Sequence, residues 1–95
     1  MEFDYEPGRF YKNDANGDLQ AEVTFEVFND EKSFAINHTY VNGNLRGQGI
    51  AAQLIKAVVD KARAEDKTIL PLCTYAKAAF QKNPEYQDIE YRVRP

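Results

Sequence analysis

Cysteine occurs once in this chain, histidine once, and tryptophan not at all. A single Cys excludes an intramolecular disulfide and a multi-cysteine metal site. A single His argues against a histidine-based one, so no metal is expected. No run of about 18 apolar residues is present, so no segment reads as a membrane span. The N-terminus shows no apolar run of the kind a secretory signal needs. The predicted compartment is therefore reducing and cytoplasmic. A basic block is missing too: twelve Lys and Arg are interspersed among fifteen Asp and Glu, for a net charge of −3. Nucleic-acid binders carry a basic face, so no nucleic-acid partner and no membrane partner is predicted. Internal repeats and low-complexity segments are absent.

What remains is an ordinary globular composition, 43% hydrophobic and 28% charged over 95 residues. That length predicts a single domain over residues 1–95. A chain of this size buries only about 60–65% of the surface its unfolded form exposes. Six Phe and six Tyr help such a modest core, because each aromatic covers a large area.

Along the chain, residues 1–12 read as a first strand, with Phe3, Tyr5, Phe10 and Tyr11. Pro7-Gly8 interrupts it, which predicts a bulge or an edge position. Asn16-Gly17 centres a turn. Residues 19–28 alternate, with Ala21, Val23, Phe25 and Val27 on one side and Glu22, Thr24 and Glu26 on the other. That is a half-buried strand. Asn29-Asp30-Glu31 reads as a hairpin loop. Residues 33–41 form a third strand, with Phe34, Ile36, His38 and Tyr40 expected on one face and Thr39 and Val41 on the other. A helix is predicted from about Gly47 to Glu65, because Ile50, Leu54, Ile55, Val58 and Ala62 make one apolar stripe. A short strand, 68–72, follows and should lie beside the third through a crossover. Pro71, having no N–H, is expected to end its ladder bonding. A second helix is expected over about Tyr75 to Lys82, stopped by Pro84. The tail, with Tyr86, Ile89, Tyr91 and Val93, reads neither as packed nor as frayed. The order β-β-β-α-β-α gives an α+β fold with a mixed, largely antiparallel sheet packed by helices.

The stretch Arg46-Gly47-Gln48-Gly49-Ile50-Ala51 joins the third strand to the first helix. A helix N-terminus leaves unpaired N–H groups and a partial positive charge, which suit a pyrophosphate. Gly47 and Gly49 remove side chains where a backbone must approach phosphate oxygens. Arg46 adds a charge-assisted contact, and Gln48 is expected to be exposed in the first turn. Glycines before a helix are also ordinary turn residues. A dinucleotide fingerprint fits poorly and a Walker loop is excluded, since no Gly-Lys-Ser/Thr follows.

Arg-x-x-Gly-x-Ala at a strand-to-helix junction resembles the pyrophosphate loop of the GNAT (GCN5-related) N-acetyltransferases. The resemblance extends through His38-Thr39-x-Val41, Leu45 to Leu54, Pro71-x-Cys73-x-Tyr75 and Asn83-Pro84-Glu85-Tyr86. These pieces, spread over residues 34–88, are similar to the minimal, YjdJ-type small acetyltransferase domains. The resemblance implies a minimal GNAT-like fold that binds acetyl-CoA or CoA as cosubstrate. The third strand and the strand 68–72 would splay, with Thr39 and Val41 offering backbone groups to the pantetheine arm. Residues 46–51, including Ile50 and Ala51, would take the pyrophosphate. Cys73 and Phe80 are counted among the CoA contacts, and Lys77 and Lys82 as residues that could reach its phosphates.

Three side chains are candidates for the chemistry. Cys73 reads either as a nucleophile that carries the acetyl group, activated by His38 or a helix N-terminus, or as a small buried hydrophobe. His38 reads as a general base or as a packed core imidazole. Tyr75 could protonate the leaving thiolate, as a Tyr on this helix does in many GNAT enzymes, or pack against Phe80. Glu22 and Glu26 share a strand face and could steer a cationic amine, although a solvated face explains them as simply.

The predicted activity is an acetyl-CoA-dependent transfer to a small-molecule or protein amine, by direct attack or through Cys73. The alternatives are a non-catalytic acyl-CoA-binding or protein-interaction module, and a structural α+β domain whose glycine loop is only a turn. A monomer or weak homodimer is expected, because the sheet has edges that could pair.

Overall fold

The computed structural model describes residues 1–92. Its strands are β1 (Asp4–Glu6), β2 (Arg9–Asn13), β3 (Leu19–Phe28), β4 (Ser33–Val41) and β5 (Thr68–Pro71). They form one sheet in the order β1-β2-β3-β4-β5, antiparallel from β1 to β4, with β5 parallel to β4. The helices are α1 (Ile50–Ala64) and α2 (Thr74–Lys82), with 3-10 turns at Gly43–Leu45 and Pro84–Ile89. The α+β class and the mixed sheet expected from the sequence are both present.

The sheet has five strands rather than four because Pro7-Gly8 is a hairpin turn, neither a bulge nor an interrupted edge. Glu6 pairs with Arg9 across it. Gly8 holds φ +81, and a Cβ there would lie 2.9 Å from the Phe25 carbonyl oxygen. Only glycine meets both demands.

α1 follows from its stripe. Ile50, Leu54, Ile55, Val58, Val59 and Ala62 are all buried, facing Val23, Phe25, Phe34, Ile36 and Ile69 of the sheet. Each such large side chain contributes roughly 1.5–3 kcal/mol by leaving water. The helix starts at Ile50, three residues later than the sequence suggested, because Gly47 and Gly49 both hold positive φ. It ends in a Schellman cap: Lys67 N–H donates to the Ala62 carbonyl at 2.8 Å and Asp66 N–H to that of Arg63 at 3.3 Å, with Asp66 at φ +55.

Both helices lie over the same face of the sheet, since Ala76 and Phe80 of α2 join one core cluster with α1. The other face carries no helix and is uncovered except beside Phe28, where Tyr91 of the tail reaches it. The tail packs as far as it is described. Tyr86 and Ile89 lie against the core, and Tyr91 meets Phe28 edge-on at 5.0 Å between ring centroids. Arg63 clasps Asp88 and the Glu85 carbonyl, and its hydrogen bond holds the Asp88 carboxyl below the usual carboxylate range. Val93, grouped with the tail in the sequence reading, lies outside the described residues. Among those described, no helix is long and apolar enough to cross a membrane, and no group of His, Cys, Asp and Glu could hold a metal ion.

Candidate functional site

The site begins with one surplus residue. Thr24 pairs with His38 but Phe25 pairs with Ile36, so Asn37 is a β-bulge. The bulge shifts the alternation of β4. Phe34 and Ile36 face the core before it, and Thr39 and Val41 do so after it. His38 and Tyr40 are therefore turned to the uncovered face, where both are exposed. This corrects the expectation that they share a face with Phe34 and Ile36. The apolar residues carried the signal: Phe34 and Ile36 are even-numbered and Val41 is odd, which strict alternation cannot accommodate.

The sheet opens at the same point. β5 pairs with β4 only from Ser33 to Ile36. Beyond the bulge, Asn42 N–H donates to the Gln20 carbonyl at 2.8 Å. In an antiparallel ladder that sets residues 38, 40 and 42 toward β3. The N–H and C=O groups of Thr39 and Val41 consequently point away from β3, to the side that β5 has left. Pro71 plays a different part from the one expected. Thr68 and Leu72 N–H groups donate to Lys32 and Ile36 carbonyls, so alternate residues of β5 bond to β4 and the nitrogen of Pro71 faces the outer edge. There the tail crosses, with Tyr91 N–H donating to the Ile69 carbonyl at 2.7 Å. Pro71 stops pairing on that outer edge, and the ladder beside β4 ends at Ile36, next to the bulge, where the chain leaves β5 for α2.

The glycine loop closes the far end of this gap. Gly49 is the N-cap of α1 at φ +75, and Gly47 stands at φ +82. A Cβ on either would meet no atom within 4 Å, so the backbone there looks onto open space. The first helical bond runs from Gln53 N–H to the Gly49 carbonyl. The N–H groups of Ile50, Ala51 and Ala52 precede it, no side chain caps them, and no acid occupies the first turn. Arg46 is exposed beside them and makes no ion pair among the described residues. Gln48 is exposed as expected but precedes the helix, its amide 3.5 Å from the Asn44 carbonyl.

Between the loop and the gap lies a cleft of about 170 Å³, lined by Val41, Leu45, Arg46, Gly47, Gly49, Ile50, Ala51 and Tyr75. Seven of these were singled out from the sequence; Leu45 was noted only within a motif. An apolar wall meeting uncapped helix N–H groups and a cation fits a ligand with a lipophilic arm and an anionic end. The donor set thus suits a CoA ester.

Cys73 is the N-cap of α2 and stands beside the gap. Its sulfur accepts from Ala76 N–H at 3.4 Å and lies 3.1 Å from the Thr39 hydroxyl, bridging β4 to α2. Tyr75, 47% exposed, lines the cleft. Phe80 is 3% exposed and packs on Tyr86, inside the core. Lys77 lines a separate depression with Leu70 and Pro71, and Lys82 ends α2. His38 does not join Cys73. It directly precedes Thr39 and lies on the opposite face, with Nε2 3.3 Å from Glu22 Oε2. Glu22 in turn meets Arg9, whereas Glu26 is exposed.

Known proteins share this architecture. A family model described as GCN5-related N-acetyl-transferase matches residues 9–89. A GCN5-like protein from Staphylococcus aureus has 34% identity and a TM-score of 0.78, covering 98% of this chain and 90% of that one. A ribosomal-protein-alanine N-acetyltransferase from Brucella melitensis shares the fold at 21% identity and a TM-score of 0.58, over 92% of this chain and 64% of that one. A Clostridium acetobutylicum protein described as a predicted acetyltransferase, crystallised with acetyl-CoA, does so at 18% identity and a TM-score of 0.60, over 92% and 62%.

Proposed function

The chain belongs to the GCN5-related N-acetyltransferase family, and from that membership we propose that it moves the acetyl group of acetyl-CoA to an amine. The observation that carries the reading is the continuity of one cleft, from the gap beside β4 to the uncapped N-terminus of α1. The likeness of residues 34–88 to the minimal, YjdJ-type domains is part of the same proposal.

Bound acetyl-CoA supplies an acetyl group already activated as a thioester. The N–H groups of Ile50, Ala51 and Ala52, with Arg46, hold its pyrophosphate. Thr39 and Val41 offer backbone N–H and C=O groups to the pantetheine amides, doing for the ligand what they would have done for β5. In the direct route the amine's electron pair forms the new N–C bond as the C–S bond breaks. His38 takes the amine's proton, and Tyr75 gives one to the departing sulfur. In the covalent route the Cys73 sulfur takes the acetyl group as the C–S bond to CoA breaks and the CoA thiolate leaves with a proton; the amine then forms the N–C bond as the bond to Cys73 breaks. Thr39 and Ala76, both directed at that sulfur, support keeping this second route. A binding module without turnover is the competing account, favoured by the placement of His38 and Cys73 on opposite faces of β4.

Calorimetric titration with acetyl-CoA and CoA tests the site. Gly49→Ala and Gly49→Glu share the same strain at φ +75, about 1–2 kcal/mol, but only Glu sets an anion at the helix N-terminus. Binding retained by Gly49→Ala and lost by folded Gly49→Glu is expected. Equal binding by all three proteins would move the ligand elsewhere, and no binding by wild type would remove the acetyltransferase reading.

A further inference from the structure

We propose that the uncovered face of the sheet receives a cationic amine, and that Glu22 positions His38 on it to take the amine's proton. The inference rests on the acetyltransferase reading above. Three observations carry it.

The first is the state of Glu22. Its side chain is only 17% exposed although its face has no covering element. Both carboxylate oxygens are used: Oε1 accepts from Arg9 Nε, and Oε2 lies 3.3 Å from His38 Nε2. Arg9 is itself fixed, by Glu6 at 3.1 Å and over the Tyr11 ring at 3.9 Å. A carboxylate held this way is a poor partner for a mobile ligand and a good one for orienting a ring.

The second is where His38 stands. It comes directly after the bulge and two residues after Ile36, the last residue of β4 that pairs with β5. It is therefore on the rim of the gap, on the face opposite to the one where Thr39 meets Cys73. When Nε2–H donates to Glu22, the lone pair is on Nδ1, for which no partner exists among the described residues. The amine's proton goes to Nδ1 as its nitrogen attacks the thioester carbon. The resulting imidazolium is stabilised by Glu22 and then returns its proton to solvent.

The third is charge. Among the described residues of β1 to β4, Asp4, Glu6, Glu22 and Glu26 project from this face against one permanent cation, Arg9. A lysine side chain is the acceptor such a face attracts.

Two measurements test the pair. His38 is the sole histidine, so its ring ¹⁵N shifts read the tautomer without any acceptor. A neutral ring protonated at Nε2 and altered by Glu22→Gln is expected; a ring protonated at Nδ1, or one indifferent to Glu22→Gln, overturns the positioning role. In turnover, CoA release is followed with a lysine-rich peptide. Glu22→Gln should lower kcat by about 10–100-fold, the scale on which losing the partner that orients a functional His is felt, with the KM for acetyl-CoA unchanged. Placed in His38→Ala, the same change should add no further loss. Losses that multiply would show that Glu22 does not act through His38. Glu22→Asp, which keeps Arg9's partner while drawing the carboxylate back from Nε2, serves if Gln disturbs the strand. Acetyl-CoA bound without turnover of the peptide overturns the acceptor class alone, whereas failure to bind acetyl-CoA removes the underlying reading as well.

Discussion

Cys73 separates two roles that a single alanine variant would confuse. Its sulfur caps α2 through Ala76 N–H and meets Thr39 across the gap. Cys73→Ala removes the cap and should cost about 1 kcal/mol, whatever the chemistry. Cys73→Ser keeps an N-cap of the preferred kind, so the fold should be at least as stable. If the thiol carries the acetyl group, turnover in Cys73→Ser should fall by 100-fold or more while acetyl-CoA still binds. If the sulfur is only a cap, turnover should stay within a few-fold of wild type. Denaturant unfolding beside a CoA-release assay reads both. At this scale the sequence was only partly legible. The loop residues 46–51 and Tyr75 could be named because their chemistry is local. The surroundings of His38 could not, since a bulge moves a side chain to the other face without any residue of unusual type to mark it. Phe80 shows the same limit from the other side: an aromatic on a helix face reads alike whether it meets a ligand or, as here, Tyr86.

At the scale of elements, the boundaries of β3 and β4 were readable because polar turns bracket clean alternation. The boundary of α1 was less so, because its stripe begins at Ile50 while the glycines before it look like part of the run. The split of the first strand was missed since Pro-Gly marks a hairpin and a bulge equally well. The C-terminus of α1 offers a test of the cap. Asp66 occupies the left-handed position of the Schellman motif at φ +55, where glycine is the favoured residue. Its side chain makes no hydrogen bond among the described residues. Asp66→Gly should therefore stabilise the protein by about 0.5–1 kcal/mol, net of the glycine's greater unfolded-state freedom. Thermal unfolding should rise by about 3–6 °C, and a fall would show that Asp66 serves the helix end in another way.

For the whole molecule, the helices and the tail as far as Ile89 gather on one side of the sheet, and one core unites them. The ligand cleft lies at the end of that core, so binding and folding are coupled. A cosubstrate that binds only the native state, at about 100 times its dissociation constant, adds about 2.7 kcal/mol. For a chain of this length that corresponds to a rise of about 10 °C or more in the unfolding midpoint. Acetyl-CoA should produce that shift in wild type and Gly49→Ala, and none in Gly49→Glu. A wild-type midpoint indifferent to saturating acetyl-CoA would contradict the placement of the ligand at this cleft. The α+β architecture was legible from element order alone, because a helix between two strands demands a crossover. The gap beside β4 was legible only through family resemblance.

The length of β4 has a consequence for how such a protein could arise or decay. Taking Asn37 out leaves every other residue of the strand on the face it now occupies: Phe34, Ile36, Thr39 and Val41 would still point inward, and His38 and Tyr40 outward. The backbone groups of Thr39 and Val41 would then continue the row that Phe34 and Ile36 present to β5. A three-nucleotide deletion would thus remove the bulge while keeping the inward and outward sets of β4, and β5, which ends at Pro71, would still offer those backbone groups no partner. Along this strand, a bulged ladder and a regular one are neighbours in sequence space, one codon apart.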